Sequence, residues 1–222
     1  MLRKHPSFVS DDLRNTYLEY YPIFNHLIMK KSFSLLSTFV LLFLLYSCGG
    51  IGGKKADDLK SSDFTTESAS GLYEISVPKY MKKVSDLNVD ASMQFQNTYR
   101  ETYLAIIDED RSGFVEAYEE FGEYDSSLST IGNYRKIQLD YFMERLDVIN
   151  LDVPKRLTID GMDAEQVEFT GRVADVDSDI FYIMTFVEGR NNVYMIMTWT
   201  LGSSEEAYKE TFYFMVDSFR EL

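Results

Sequence analysis

An α+β fold is what this sequence predicts: an antiparallel β-sheet of about six to seven strands with helices packed on it. Three observations predict it. Seven short segments between Leu72 and Thr200 carry the alternating or β-branched and aromatic content of strands. Helical periodicity is confined to two stretches in the middle and one at the end. The strands come in runs, so no βαβ alternation is available to build a parallel sheet.

Taken in order, Leu72-Tyr73-Glu74-Ile75-Ser76-Val77 alternates and stops at Pro78, which suits a first strand. Residues 91–97 and 102–107 read as two more. Phe114, Tyr118 and Phe121 mark a short helix, and Ile131, Tyr134, Gln138 and Tyr141, with Leu139, Phe142 and Leu146, a longer one. Four strands follow, 156–159, 164–173, 180–187 and 193–200, separated by Asp160-Gly161, an acidic loop at 175–179, and Gly189-Arg190-Asn191-Asn192. Ser203 with Glu206 reads as a capping box opening a last helix, whose apolar stripe runs through Tyr208, Phe212, Met215, Phe219 and Leu222.

Ahead of this domain lies a different kind of sequence. Two lysines, Lys30 and Lys31, precede an apolar run from Ser32 that ends at Ser47-Cys48, and Cys48 is the only cysteine. That run is short for a membrane span, which needs roughly 20 apolar residues, and Gly49-Gly50-Ile51-Gly52-Gly53 follows it instead of a stop-transfer pattern. Leu45-Tyr46-Ser47-Cys48 resembles the lipobox of bacterial lipoproteins, in the relaxed Bacteroidota form. The resemblance implies a cleaved signal peptide and a diacylglyceryl group plus an N-acyl chain on Cys48, enough for lasting anchorage where one chain binds only marginally. The expected organisation is a leader at 1–47, with translation starting at Met1 or Met29, a lipidated Gly/Ser/Thr-rich tether at 48–70, and a single domain at 71–222. Surface-exported lipoproteins of that type tend to have acids straight after the cysteine, whereas Gly-Gly-Ile-Gly-Gly-Lys54-Lys55 follows Cys48, so the resemblance implies an outer-membrane position facing the periplasm, with cell-surface exposure left open.

Composition removes several function classes. The chain carries a net charge of −14, and removing the five basic and three acidic residues before Cys48 leaves 17 against 33, a balance of −16. Such a surface is repelled by phosphate backbones, so nucleic acid is not an expected partner. Both histidines, His5 and His26, precede Cys48, and Cys48 is the only cysteine; together these exclude Ser-His-Asp relays, His-ligated zinc and paired-cysteine chemistry from the mature chain. With no disulfide available, the fold stands on its hydrophobic core.

Leu72-Tyr73-Glu74-Ile75-Ser76-Val77-Pro78, Ile159-Asp160-Gly161-Met162-Asp163-Ala164 and Met215-Val216-Asp217-Ser218-Phe219 resemble the opening strand, mid-chain hairpin and terminal helix of the PsbP-like and DcrB-like α/β/α sandwich superfamily. The resemblance implies a fold and a largely non-enzymatic accessory or envelope class. It implies no catalytic residues, because the superfamily shares none.

One segment has ligand spacing. Asp108, Asp110, Ser112, Gly113, Glu116 and Glu119 stand at positions 1, 3, 5, 6, 9 and 12 of an EF-hand loop, the pattern that encircles calcium. The same residues also read as an acidic strand end with Ser112 as the N-cap of the following helix and Gly113 in the turn. Asp175, Asp177 and Asp179 have cation-ligand spacing but Ile180 in place of the turn glycine. Glu119-Glu120 and Glu205-Glu206 are adjacent on helices and so point apart, while Trp199, on a late strand near a sheet edge, is a candidate groove aromatic. The expectation is a non-enzymatic, membrane-anchored envelope lipoprotein that binds an unidentified protein partner or small ligand, without a catalytic residue or a required cofactor. The alternative is a carboxylate-dependent envelope hydrolase, with or without calcium.

Overall fold

The structure, a computed structural model, describes residues 59–174 and 176–222. The leader, Cys48, the first part of the tether, and Asp175 lie outside the described residues. The predicted tether ends early: β1 (Phe64–Ala69) pairs antiparallel with β2 (Tyr73–Pro78), from Phe64 opposite Pro78 to Ala69 opposite Tyr73. Three residues, Ser70 to Leu72, join them: Ser70 (φ 51°) and Gly71 (φ 71°) are both left-handed, and the Leu72 N–H donates back to the Ala69 carbonyl at 2.8 Å. Only the two ends of β1, Phe64 and Ala69, are buried; its polar middle is what resembles a linker.

Eight strands form the main sheet. They are β3 (Lys82–Lys83), β4 (Met93–Asn97), β5 (Thr102–Asp110), β6 (Asp147–Leu151), β7 (Lys155–Ile159), β8 (Met162–Arg172), β9 (Asp179–Glu188) and β10 (Asn192–Leu201). The order is β3-β4-β5-β10-β9-β8-β6, with β7 sharing the free edge of β8 with β6, and every pairing is antiparallel. The predicted turn at Asp160-Gly161, both at positive φ, joins β7 to β8.

Alternation along the central strands divides the core in two. On one face Ala105, Phe169, Met184 and Met195 pack against α1 (Arg111–Glu120) and α2 (Thr130–Met143), which bring Phe114, Tyr134 and Phe142. On the other, Leu104, Ile106, Ile183 and Ile196 pack against β2 and α3 (Glu205–Asp217), which brings Phe212, Met215 and Val216. The molecule is thus helices, sheet, then a layer shared by α3 and a three-stranded sheet, β1-β2-β11, where β11 is Arg220–Glu221. The strand predicted to open the main sheet, β2, belongs to this second sheet instead.

The last helix also differs from expectation at both ends. Ser204, not Ser203, precedes its first turn and no side chain caps it, because 202–204 form a 3-10 turn that carries Ser203 away from the helix start. It stops at Asp217, and Phe219 is buried beyond it, on the link to β11. Among the described residues no helix is long and apolar enough to cross a membrane.

Candidate functional site

Segment 108–119 does not form a loop. Asp108, Glu109 and Asp110 are paired with Tyr194, Val193 and Asn192 at the end of β5, and the helix begins at the next residue. Asp110, rather than Ser112, is the N-cap: its Oδ1 accepts from the Gly113 N–H at 2.7 Å and from the Ser112 hydroxyl at 2.7 Å. Those two donors hold the Asp110 carboxyl below the usual aspartate range. Gly113 lies inside the helix, and Glu119 is exposed near its far end, so Asp108, Asp110, Ser112 and Glu119 do not converge as a calcium loop requires. Glu109, on the opposite face of the strand from Asp108, accepts from Tyr134 at 2.8 Å and Gln138 at 2.9 Å on α2. Burial pushes its carboxyl above the usual range against the pull of Tyr134, and Asp90 and Asp108 push it the same way.

The other sequence candidates are dispersed. Asp177 is exposed, and Asp179 is paired with Arg172 at 2.6 Å. Glu119 and Glu120 are exposed; Glu206 is exposed, whereas its neighbour Glu205 is half-buried and paired with Lys209 at 3.3 Å. Among the described residues no three or more His, Cys, Asp or Glu side chains cluster as a metal would need. Trp199 sits on β10, between β5 and β9, not near an edge. It stacks on its register partner Tyr103 at 5.2 Å and follows Tyr182 at 6.4 Å, which stacks on Phe169 at 4.8 Å, so four consecutive strands contribute one aromatic row. Phe142 of α2 covers Phe169 and Tyr182 edge-on. The row is core, held by cross-strand ring contacts.

Two features were not visible in the residue pattern. The first is an open cleft of about 330 Å³ lined by Thr170, Ser178, Asp179, Gly202, Ser203 and Glu205, where the end of β8 meets the start of α3. Its hydroxyls and carboxylates can take up a polar molecule that offers donors. Thr170 reaches it from β8, Ser178 from the loop before β9, and Gly202 and Ser203 from the turn before α3, so no spacing rule announces it.

The second is a pair of buried glutamates on β8, one for each face. Glu165 meets Arg135 of α2 at 2.5 Å and Arg156 of β7 at 3.4 Å. Glu168, with a side chain only 4% exposed, meets Lys209 at 2.5 Å and accepts from Tyr213 at 2.5 Å, both on α3, with Lys155 of β7 at 3.0 Å. Burial alone would raise the Glu168 carboxyl, but these three donors bring it from the usual 4.5 down to about 2. Two Glu residues at odd spacing in a strand full of apolar neighbours were the available signal, and their partners depend on where the helices dock.

No family model matches the chain, and no curated protein matches it. Among solved structures it is similar to the cyanobacterial PsbP (CyanoP) of Synechocystis sp. PCC 6803, with 16% identity and a TM-score of 0.47 over 80% of this chain and 99% of that one. A Pseudomonas aeruginosa protein of unknown function, PA94, aligns with 13% identity and a TM-score of 0.41 over 70% and 94%. A Bacteroides thetaiotaomicron protein aligns with 8% identity and a TM-score of 0.44 over 72% and 49%. Likenesses at this level carry no inference about what this chain binds or does.

Proposed function

We propose that the chain is a non-enzymatic envelope lipoprotein of the PsbP-like type, anchored through lipid on Cys48 in the outer membrane and facing the periplasm, whose folded domain is an accessory or binding module. The observation that carries the non-enzymatic part is the employment of the buried acids. Glu165 and Glu168, the acids that a hydrolase would want in a dry site, are each held by cations from a helix and from β7, and a carboxylate fixed that way neither shuttles a proton nor attacks a substrate. The cleft beside Asp179 and Glu205 then serves to bind rather than to react. Cys48, with the apolar run before it, supports the anchor.

Fatty-acid labelling of the chain expressed with its own leader in a lipoprotein-processing bacterium tests the anchor: the label is expected on the wild type and absent from Cys48→Ala. Label that persists in the variant refutes it. The alternative, a carboxylate-dependent hydrolase, is favoured by one fact, that Asp179 and Glu205 line the same cleft. It requires an envelope hydrolytic activity that Asp179→Asn and Glu205→Gln each abolish, whereas the binding-module reading expects no activity to lose.

A further inference from the structure

Cations are scarce in this domain, with fifteen Lys and Arg against thirty-one Asp and Glu from residue 59 onward, yet five of the fifteen gather where the chain enters it. Lys60 is exposed just before β1, and Lys79 reaches the Ser62 carbonyl at 2.7 Å. Lys82 and Lys83 form β3, pairing with Gln96 and Phe95 of β4. The β4–β5 turn joins the same group, since Asn97 donates to the Tyr80 carbonyl at 2.7 Å and the Arg100 guanidinium lies 4.2 Å over the Tyr80 ring.

None of these five makes an ion pair among the described residues, whereas Arg111, Arg135, Arg172, Arg190 and Lys209 are all paired. Of the acids flanking the group, Asp63 accepts from the Lys60 N–H and Glu101 accepts from the Tyr103 hydroxyl, while Asp86, three residues past Lys83, is exposed and makes no ion pair among the described residues. At the tip of the same turn Tyr99 is 94% exposed. An exposed amphipathic ring at the end of the domain that carries unpaired cations suits the headgroup layer of a membrane.

The position of the patch relative to the anchor decides the occupant. Eleven residue steps separate Cys48 from Leu59, and an extended chain covers at most about 38 Å in that distance. The entry end of the domain is therefore held close to whatever bilayer carries the lipid. We propose that Lys60, Lys79, Lys82, Lys83 and Arg100, with Tyr99, dock on the anionic phospholipid surface into which Cys48 is acylated, orienting the domain with this end down and the β6–β7 edge away. The proposal rests on the lipoprotein reading and adds an orientation to it. The overall negative charge assists, because it disfavours adsorption of the domain in other orientations.

The test uses the full chain, expressed with its leader in a lipoprotein-processing bacterium and reconstituted into vesicles containing brominated phospholipid. Tryptophan is introduced at Tyr99→Trp or, as a control on the opposite edge, at Val153→Trp, a position 82% exposed. Buried Trp199 is common to both. In phosphatidylethanolamine–phosphatidylglycerol vesicles quenching is expected to be at least threefold greater at 99 than at 153, on the order of what a few screened charges provide. The difference is expected to collapse in about 0.5 M salt, in phosphatidylcholine, and in a Lys60→Glu, Lys82→Glu, Lys83→Glu triple variant whose melt matches the parent. Equal quenching at the two positions, or a difference indifferent to salt and charge reversal, overturns the docking. The intact mass separates the two readings. An acylated chain with equal quenching keeps the anchor and loses the docking; an unacylated chain still quenched at 99 loses the anchor and keeps the docking.

Discussion

Glu168 ties its own strand to the neighbouring strand through Lys155 and to the helix packed above it through Lys209 and Tyr213. Its folded pKa lies below the unfolded one, so the stability it contributes is fully present above about pH 4.5 and drains away as the pH falls toward 2. Glu168→Gln is expected to cost about 2 kcal/mol in urea melts at pH 7, since Lys155 and Lys209 keep some access to water. It should also flatten the acid limb of the melting-temperature curve below pH 4.5. A variant as stable as the parent would mean that the clamp is neutral. Glu109 runs the other way. Burial raises its folded pKa, so its contribution is present at low pH and lost as the pH rises through that value. Glu109→Gln keeps an acceptor for Tyr134 without the buried charge, and a gain of about 0.5 to 1 kcal/mol at pH 7 is expected, vanishing below pH 4.

Elements were legible in proportion to how much of each was buried. The strands at 102–110, 179–188 and 192–201 are lined on both faces, and their long apolar runs announce them. β6 escaped notice because all five of its residues are exposed on the sheet edge, and β3 and β11 because two residues carry no period. At 108–119 the calcium spacing coincided with a strand end and a helix start, and only the register of β5 on β10 separates the two readings. Asp110→Ala should therefore lower the melting temperature through the lost cap, and the parent's melt should be unchanged between EDTA and millimolar calcium. A calcium-dependent rise abolished by Glu119→Gln would restore a loop site. Likewise the sequence stripe that named Phe219 placed it in a helix, although it lies past the helix end. Packed against Tyr73 at 5.3 Å and Tyr194 at 5.0 Å, it should lose about 3 to 5 kcal/mol as Phe219→Ala by urea unfolding.

At the scale of the whole molecule, the layer holding α3 is closed by its latest segment. Glu221 accepts from the Arg190 backbone at 3.1 Å and from Tyr194 at 3.0 Å, and it stands so near Gly189 that a methyl group there would strike both its carboxylate and the Tyr194 ring. The Ser76 N–H donates to Ser218 Oγ across 142 positions, and β11 completes the sheet that β1 and β2 begin. A chain that emerges N-terminus first from a ribosome shows β2 early and Phe219 late. Half of its core cannot close while it is still being made, since the residues that seal it have not yet arrived. In a chain made N-terminus first, this half of the core is therefore expected to close after the half that packs against α1 and α2.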